Sequence, residues 1–156
     1  MAGMRRLLIL GSVGAILVAT PAASEEPRTW VRGPTAQAGM IGSVLDVFAG
    51  TDQIQVLARR CANVREETGC TRISPRLRTA IENASAASIT WVHRMWPNAG
   101  VYWVLAPFVW RGDRARLKWA WADPAPFGCT GGGKAIFTLF DGAWRQTGGG
   151  AYEGCP

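Results

Sequence analysis

The residues that could carry out catalysis are few, beginning with a single histidine, His93, on which any Ser–His–Asp triad would depend. No nucleophile-elbow sequence marks a serine partner, so His93 is interpreted as a structural or surface histidine. A glycosidase would instead need two carboxylates, and the acidic residues nearest to the predicted sheet are Asp113, Asp123, Asp141 and Glu153. Because predicted turns require Asp113 and Asp141, no catalytic residue is assigned, and an enzyme is the less favoured interpretation.

Two short motifs imitate known sites. Gly128, Gly133 and Lys134 have the spacing of the first part of a P-loop, but Ala135 stands where that motif needs Ser or Thr. A strand rather than a helix is also predicted to follow. Residues 111–113 spell the tripeptide RGD, whose Gly and Asp are common turn residues. Both motifs are interpreted as turn and loop chemistry, and neither predicts a nucleotide site or an adhesion ligand.

The four cysteines, Cys61, Cys70, Cys129 and Cys155, are the strongest chemical signal in the chain. An even number of cysteines in an exported protein predicts two disulfides, for which three connectivities exist. Proximity in the sequence favours Cys61 with Cys70 and Cys129 with Cys155. A zinc site would need a CxxC pair or more histidine, so no metal and no cofactor are expected.

Export itself is predicted from the first 23 residues, interpreted as a cleaved signal peptide. Arg5 and Arg6 form a positive start, Leu7–Ala19 is an apolar run, and Thr20–Ala23 supplies small residues for cleavage. The run is too short for a transmembrane helix, so no membrane span is expected after cleavage. The predicted location is the periplasm or the cell exterior.

The remaining chain has the length of one domain. Residues 24–38 are predicted to be a mobile lead-in and 39–156 a single domain held by its disulfides. Loss of Arg5 and Arg6 lowers the formal net charge from +6 to +4. The basic residues are scattered rather than grouped in a block, which argues against nucleic acid. An envelope protein or an anionic cell-surface polymer is the expected partner.

Three short helices are predicted before the sheet, giving an α+β domain. Apolar residues at i, i+3, i+4 and i+7 indicate the first two, with Ile41, Val44, Leu45 and Phe48 in one and Ile54, Leu57, Ala58 and Cys61 in the other. The polar segment 62–71 is predicted to be a loop. Ser74 and Pro75 are typical of a third helix start, with Ser as the cap and Pro at the first position.

A four- to five-stranded antiparallel meander is predicted to follow the helices. Its strands are a short one near 88–93, then 101–110 with a break at Pro107, 116–122, 135–140 and 143–147. Residues 123–133 are predicted to be a long loop, and glycines 148–150 are expected to leave the sheet. Asp141 and Gly142 predict a two-residue hairpin turn that sets Leu139 opposite Trp144.

The order of these elements resembles the cystatin-like, NTF2-type fold, in which helices close a curved sheet. Asp141, Gly142 and Trp144 in the last hairpin carry the resemblance beyond element order. It implies a fold and no function.

The chain contains eight tryptophans, which form either the core under the helices or an exposed platform. The candidate binding surface comprises residues at predicted turns or on the polar side of a strand: Trp96, Trp110, Arg111, Arg114, Arg116 and Lys118. The favoured function is a non-enzymatic binding or inhibitor-type module. The alternatives are an enzyme acting on envelope polymers through a pocket between helices and sheet, or a structural component of an envelope complex.

Overall fold

The computed structural model describes residues 32–49, 52–93, 101–123 and 129–154. These residues form two helices and eight strands: α1 (Pro34–Ala49), β1 (Gln53–Asn63), β2 (Thr68–Arg72), α2 (Pro75–Ala84), β3 (Ser88–Val92), β4 (Tyr102–Leu105), β5 (Val109–Arg111), β6 (Arg114–Asp123), β7 (Cys129–Phe140) and β8 (Ala143–Gly154). The predicted signal peptide lies outside the described residues. Helix α1 begins at Pro34 and so contains the last residues of the predicted lead-in.

All eight described strands join one mixed sheet, in the order β2-β1-β4-β6-β7-β8. Strand β1 has β4 on one edge, where Val56 and Arg60 are among its paired residues. On its other edge, β1 pairs first with β3 and then, further along the chain, with β2. The β1–β3 and β1–β4 pairs are parallel. Strands β4 and β5 follow each other along one edge of β6, interrupted around Pro107 as predicted.

The prediction of three helices packed on a four- to five-stranded antiparallel meander is therefore wrong. The second predicted helix is strand β1, and the segment 62–71 predicted as a loop contains all but the last residue of its hairpin partner β2. In β1, Ile54 and Val56 are buried on one face of the sheet and Leu57 and Cys61 on the other. A strand with apolar residues on both faces can reproduce helical spacing over seven residues. The expectation of a cystatin-like, NTF2-type fold, which rested on that order of elements, is wrong with it.

Locally determined features agree with prediction. The Ser74 side chain accepts a hydrogen bond from the Leu77 amide at 3.3 Å, and Pro75 occupies the first turn of α2. Asp141 and Gly142 form the hairpin turn with φ angles of 48° and 80°. Leu139 and Trp144 are directly paired.

The glycine-rich segments differ from prediction, because both lie inside strands. Gly131 and Gly133, predicted to be in a loop, are part of β7, and β8 continues through glycines 148–150 to Gly154. A β-carbon on Gly131 would collide with the indole of Trp121, and one on Gly133 would lie 2.8 Å from the Trp119 ring. The missing side chains therefore allow two indoles to lie against the backbone of the neighbouring strand.

One face of the sheet packs against both described helices, and we call it the helix face. Side chains of β1, β4, β6 and β7 that alternate towards this side join α1 and α2 in one core; its largest members include Ile41, Leu45, Val56, Leu77, Ile81, Trp103, Leu105, Leu117, Trp119 and Phe137. The opposite side, the open face, carries a smaller apolar cluster of Leu57, Cys61 and Val104 beside the turn between β1 and β2. No helix among the described residues has the length and apolar character needed to cross a membrane.

The two helices contact each other closely at Gly42 of α1. A β-carbon there would lie 2.6 Å from the carbonyl oxygen of Ala84 at the end of α2. The same end of α2 is held by Asp46, whose Oδ1 accepts hydrogen bonds from Ser85 Oγ at 2.6 Å and from the Ala86 amide at 2.8 Å. Space at Gly42 therefore sets how near α2 can approach α1.

A matched pair of alanine substitutions in α1 tests this contact. We expect Gly42→Ala to lower the free energy of unfolding by about 1–2 kcal/mol, because the methyl group must displace α2. Gly39→Ala, on the same helix with nothing within 4 Å of its β-carbon, should raise it by up to about 1 kcal/mol through helix propensity. Urea unfolding of both variants measures the difference, and equal effects would contradict the close contact.

Candidate functional site

The open face carries basic side chains on its described strands and no acidic ones. Successive outward positions of β6 hold Arg114, Arg116 and Lys118, and the paired strands add Lys134 of β7 and Arg145 of β8. All five side chains are exposed. None of them forms an ion pair with another described residue. The result is a surface of one sign of charge, with no carboxylate interleaved among the strand positions.

A further cation, Arg65, is placed over this surface by the turn between β1 and β2. Asn63 Oδ1 accepts hydrogen bonds from the amides of Arg65 and Glu66 at 3.1 and 3.3 Å, which sets the turn. The Arg65 Nε donates to the Tyr152 hydroxyl at 3.1 Å, and the guanidinium carbon lies 4.8 Å from the centre of the Tyr152 ring. Arg65 is therefore held in one orientation although it is exposed.

A cavity of about 690 Å³ opens between this turn and the sheet. Arg65, Lys118, Lys134, Gly150 and Tyr152 are among the residues that line it. Lys118 and Lys134 are direct cross-strand partners, and Lys134 is in turn paired with Gly150. Like charges directly opposite each other destabilise a sheet unless a counter-charge lies between them. The cavity thus combines three cations at a site where an anion would relieve repulsion.

Gly133 and Gly150 line the same cavity, and Gly132 lies beside it in β7, directly paired with Tyr152. A β-carbon on Gly132 would lie 2.8 Å from the Tyr152 hydroxyl oxygen, so glycine allows the phenol to lie close to the sheet. Gly150 is different, because a β-carbon there would meet nothing within 4 Å. The space above Lys134 and Gly150 is open.

A neighbouring cavity of about 310 Å³ shares Arg65 and Tyr152 but is lined by Glu67 and Tyr102 instead of the lysines. Burial raises the pKa of the Glu67 carboxyl. Burial, followed by the charge of Glu67, raises the pKa of the Tyr102 hydroxyl. Glu67 does not line the cavity that contains Lys118 and Lys134.

The predicted binding surface is divided between the two faces of the sheet. Arg114, Arg116 and Lys118 lie on the open face, as does Arg111, which pairs with Arg114. Trp110 lies on the helix face. It is half-buried, with ring centres 5.1 Å from Phe108 and 5.4 Å from Trp144, and with the Arg32 guanidinium 5.5 Å from its own ring centre. Trp96 lies outside the described residues.

Most of the described tryptophans belong to the core rather than to an exposed platform. Trp103 and Trp119 are each 3% exposed. Trp91, Trp110, Trp121 and Trp144 are partly buried and pack against the same core. The open face carries exposed aromatic residues of other types, among them Tyr152, which is 43% exposed, and Phe140, which is 47% exposed.

The predicted Cys61–Cys70 disulfide is confirmed and joins directly paired residues of β1 and β2. Cys129 is also disulfide-bonded, and there is no free cysteine within the described part of the chain. Its predicted partner, Cys155, lies outside the described residues. The Cys61–Cys70 bridge closes the segment that carries Arg65.

A further cavity of about 530 Å³ is lined in part by Asp52, Trp103, Trp121 and Glu153, and it shares Ala151 and Tyr152 with the cavity of about 690 Å³. It contains two carboxylates beside aromatic rings, but exposed His93 is not among its lining residues. Among the described residues there is no group of three His, Cys, Asp or Glu side chains placed to hold a metal ion. The described residues that line this cavity include no histidine, lysine or cysteine that could act as an acid–base partner of either carboxylate.

Sequence reasoning missed Arg65, Lys134 and Tyr152 as site residues. The sequence pattern places Lys134 at the border of a predicted loop and Arg65 within a polar loop, and a loop residue has no predicted face of the sheet. Alternation in β6 did identify Arg116 and Lys118 as outward residues. Extension of the β6–β7 pairing through the glycines would have placed Lys134 opposite Lys118.

Comparison of the chain with protein-family models, with curated proteins and with solved structures found no match.

Proposed function

We propose that this protein is an exported, non-enzymatic binding module whose open face binds an anionic polymer of the cell envelope. The observation that carries the proposal is the exposed, unpaired row of cations in β6 together with Lys134 and Arg145 on the adjacent strands. Side chains on one face of a strand repeat every two residues, about 7 Å apart. Such a row suits the repeating charges of an extended polymer better than a single small acid.

The electrostatics of the open face also support binding at a distance. A surface of one sign attracts a polyanion before contact, and Arg guanidinium groups add paired hydrogen bonds to carboxylate, sulfate or phosphate. The attraction is screened by salt because the cations are exposed. Binding should therefore be strong at low ionic strength and weaken steadily as salt is added.

An exported location supports an envelope ligand over an intracellular one. The leader at 1–23 is predicted from its sequence pattern, and the Cys61–Cys70 disulfide is compatible with an oxidising compartment. Both observations are consistent with a protein that meets envelope polymers.

A pair of charge reversals tests the proposal with heparin as the polyanion probe. We expect Arg116→Glu to weaken heparin binding about tenfold at low salt, because it places a negative charge in the middle of the cationic row. Binding is measured by titration calorimetry of the mature chain at several salt concentrations, with retention on a heparin column as a second readout.

Arg76→Glu is the matched control, since it changes the net charge equally at an exposed position of α2, away from the open face. Near a helix N-terminus a glutamate is favourable, so this variant should remain folded. It should bind heparin within about twofold of the unmodified chain. Equal losses in the two variants would mean that net charge alone governs binding and would overturn the proposed surface.

A further inference from the structure

We propose that the cavity formed by Arg65, Lys118, Lys134 and Tyr152 is a discrete site for a phosphate group in its dianionic form, borne by the ligand as a phosphomonoester. This inference rests on the proposed function in naming one chemical group of that ligand and its position on the open face. The proposed site differs from general attraction of a polyanion because the phosphate must contact four particular side chains around one cavity of about 690 Å³.

The two lysines supply the first argument. Lys118 and Lys134 face each other across adjacent strands, and neither has an ion pair among the described residues. Repulsion between their ammonium groups destabilises the free protein, and a bound anion would remove this repulsion. A group with two negative charges compensates both ammonium ions, whereas a carboxylate compensates one.

Arg65 supplies the second argument, because it is preorganised. Its Nε is used by the Tyr152 hydroxyl, and its guanidinium lies over the Tyr152 ring. The terminal nitrogens make no hydrogen bond to another described residue, so they remain available as a planar fork for two oxygens of one phosphate. An already oriented guanidinium loses little side-chain entropy on binding.

Tyr152 completes the set of donors. Its hydroxyl oxygen accepts the hydrogen bond from Arg65, which leaves the hydroxyl proton free to donate to a phosphate oxygen. The residue is 43% exposed and lines the same cavity as the two lysines. A bound phosphate would therefore contact the ammonium groups of Lys118 and Lys134 and accept hydrogen bonds from Arg65 and Tyr152.

The size of the cavity favours a phosphate attached to a larger group. Its volume is several times that of a phosphate ion, and the position above Gly150 is unobstructed. The remainder of a phosphorylated sugar or polyol can occupy that space. Free inorganic phosphate offers the same charged group without this additional contact.

The test is calorimetric titration of the mature, oxidised chain with inorganic phosphate, glycerol 3-phosphate and acetate at one ionic strength and pH 8. We expect saturable binding of both phosphates and at least tenfold weaker binding of acetate. Tighter binding of glycerol 3-phosphate than of phosphate assigns a phosphomonoester as ligand, and equal binding assigns free phosphate. No phosphate binding by the unmodified chain overturns the inference.

Two variants locate the site, with a third as control. Lys118→Gln and Lys134→Gln should each weaken phosphate binding about tenfold, while the thermal midpoint of the free protein stays level or rises because repulsion is removed. Arg76→Gln removes an exposed cation from α2, away from the open face, and should change phosphate binding less than about twofold. Equal losses in all three variants overturn the discrete site.

Heparin binding separates failure of the site from failure of the proposed function. A chain that binds heparin through Arg116 but does not bind phosphate retains the proposed function and lacks this site. A chain that binds neither heparin nor phosphate would contradict both the proposed function and the phosphate site. Phosphate binding that persists in the Lys118→Gln/Lys134→Gln double variant also overturns the site.

Discussion

Gly133→Ala is expected to lower the free energy of unfolding by about 3 kcal/mol, at the upper end of the effects of overpacking. The new methyl group would collide with the carbonyl oxygen of Gly150 on one neighbouring strand and lie 2.8 Å from the indole of Trp119 on the other. It would also lie 3.0 Å from the α-carbon of Ala151. Trp119 is 3% exposed, so its ring has little room to move aside. Urea unfolding followed by tryptophan fluorescence measures the loss.

Gly150→Ala is the matched control for this substitution. Gly150 lies on β8, one strand away, and nothing surrounds the position of its β-carbon within 4 Å. Alanine there should be neutral or stabilise by up to about 1 kcal/mol, because glycine costs backbone entropy in a strand. If Gly133→Ala unfolded at the same urea concentration as Gly150→Ala, the packing of Trp119 against the glycine backbone would be disproved.

Removal of the Cys61–Cys70 disulfide is expected to lower the free energy of unfolding by about 3 kcal/mol through the gain in unfolded-chain entropy. The suitable variant is Cys61→Ala/Cys70→Ala, since Cys61 is fully buried and a hydroxyl there would lack water. The bridge closes a loop of sequence separation 9 that contains Arg65. Phosphate binding should therefore weaken together with stability, because Arg65 is no longer held over Lys118 and Lys134.

Arg65→Gln with the disulfide intact is the control for this double variant. It removes the guanidinium while leaving the turn closed, so phosphate binding should fall while the unfolding midpoint stays nearly unchanged. Differential scanning calorimetry and the phosphate titration together distinguish the two variants. A double-alanine variant as stable as the parent chain would show that the bridge contributes nothing to the folded domain.

The two largest errors in the sequence-based fold have one origin. Over β1, Ile54, Leu57 and Cys61 have helical spacing, yet they are buried on opposite faces of a strand that pairs on both edges. Over β7, Gly131 and Gly133 have poor strand propensity, yet they are required where the Trp121 and Trp119 rings lie. In both places tertiary packing outweighs the local signal.

The candidate site was predictable only in part for the same reason. Alternation along β6 identified Arg116 and Lys118, because one strand's pattern is sufficient for that inference. Lys134 required knowledge that β7 begins before the glycines, and Arg65 required knowledge of which face the β1–β2 turn covers. The sequence predicts Trp110 at the surface beside a turn, but its pairing with buried Ala115 puts its side chain on the helix face.

The amino-acid sequence by itself determined the features whose causes lie within a few residues. These include the Ser74 cap with Pro75, the Asp141–Gly142 turn and the nearby Cys61–Cys70 bridge. Only the tertiary structure decided that β1 pairs in parallel with β3 and β4, and that the cations of β6 and β7 meet beneath Arg65. Strand pairing joins residues far apart in the chain, and its free energy comes from burial on two faces at once. The pattern of residues within one segment therefore does not predict which strands pair.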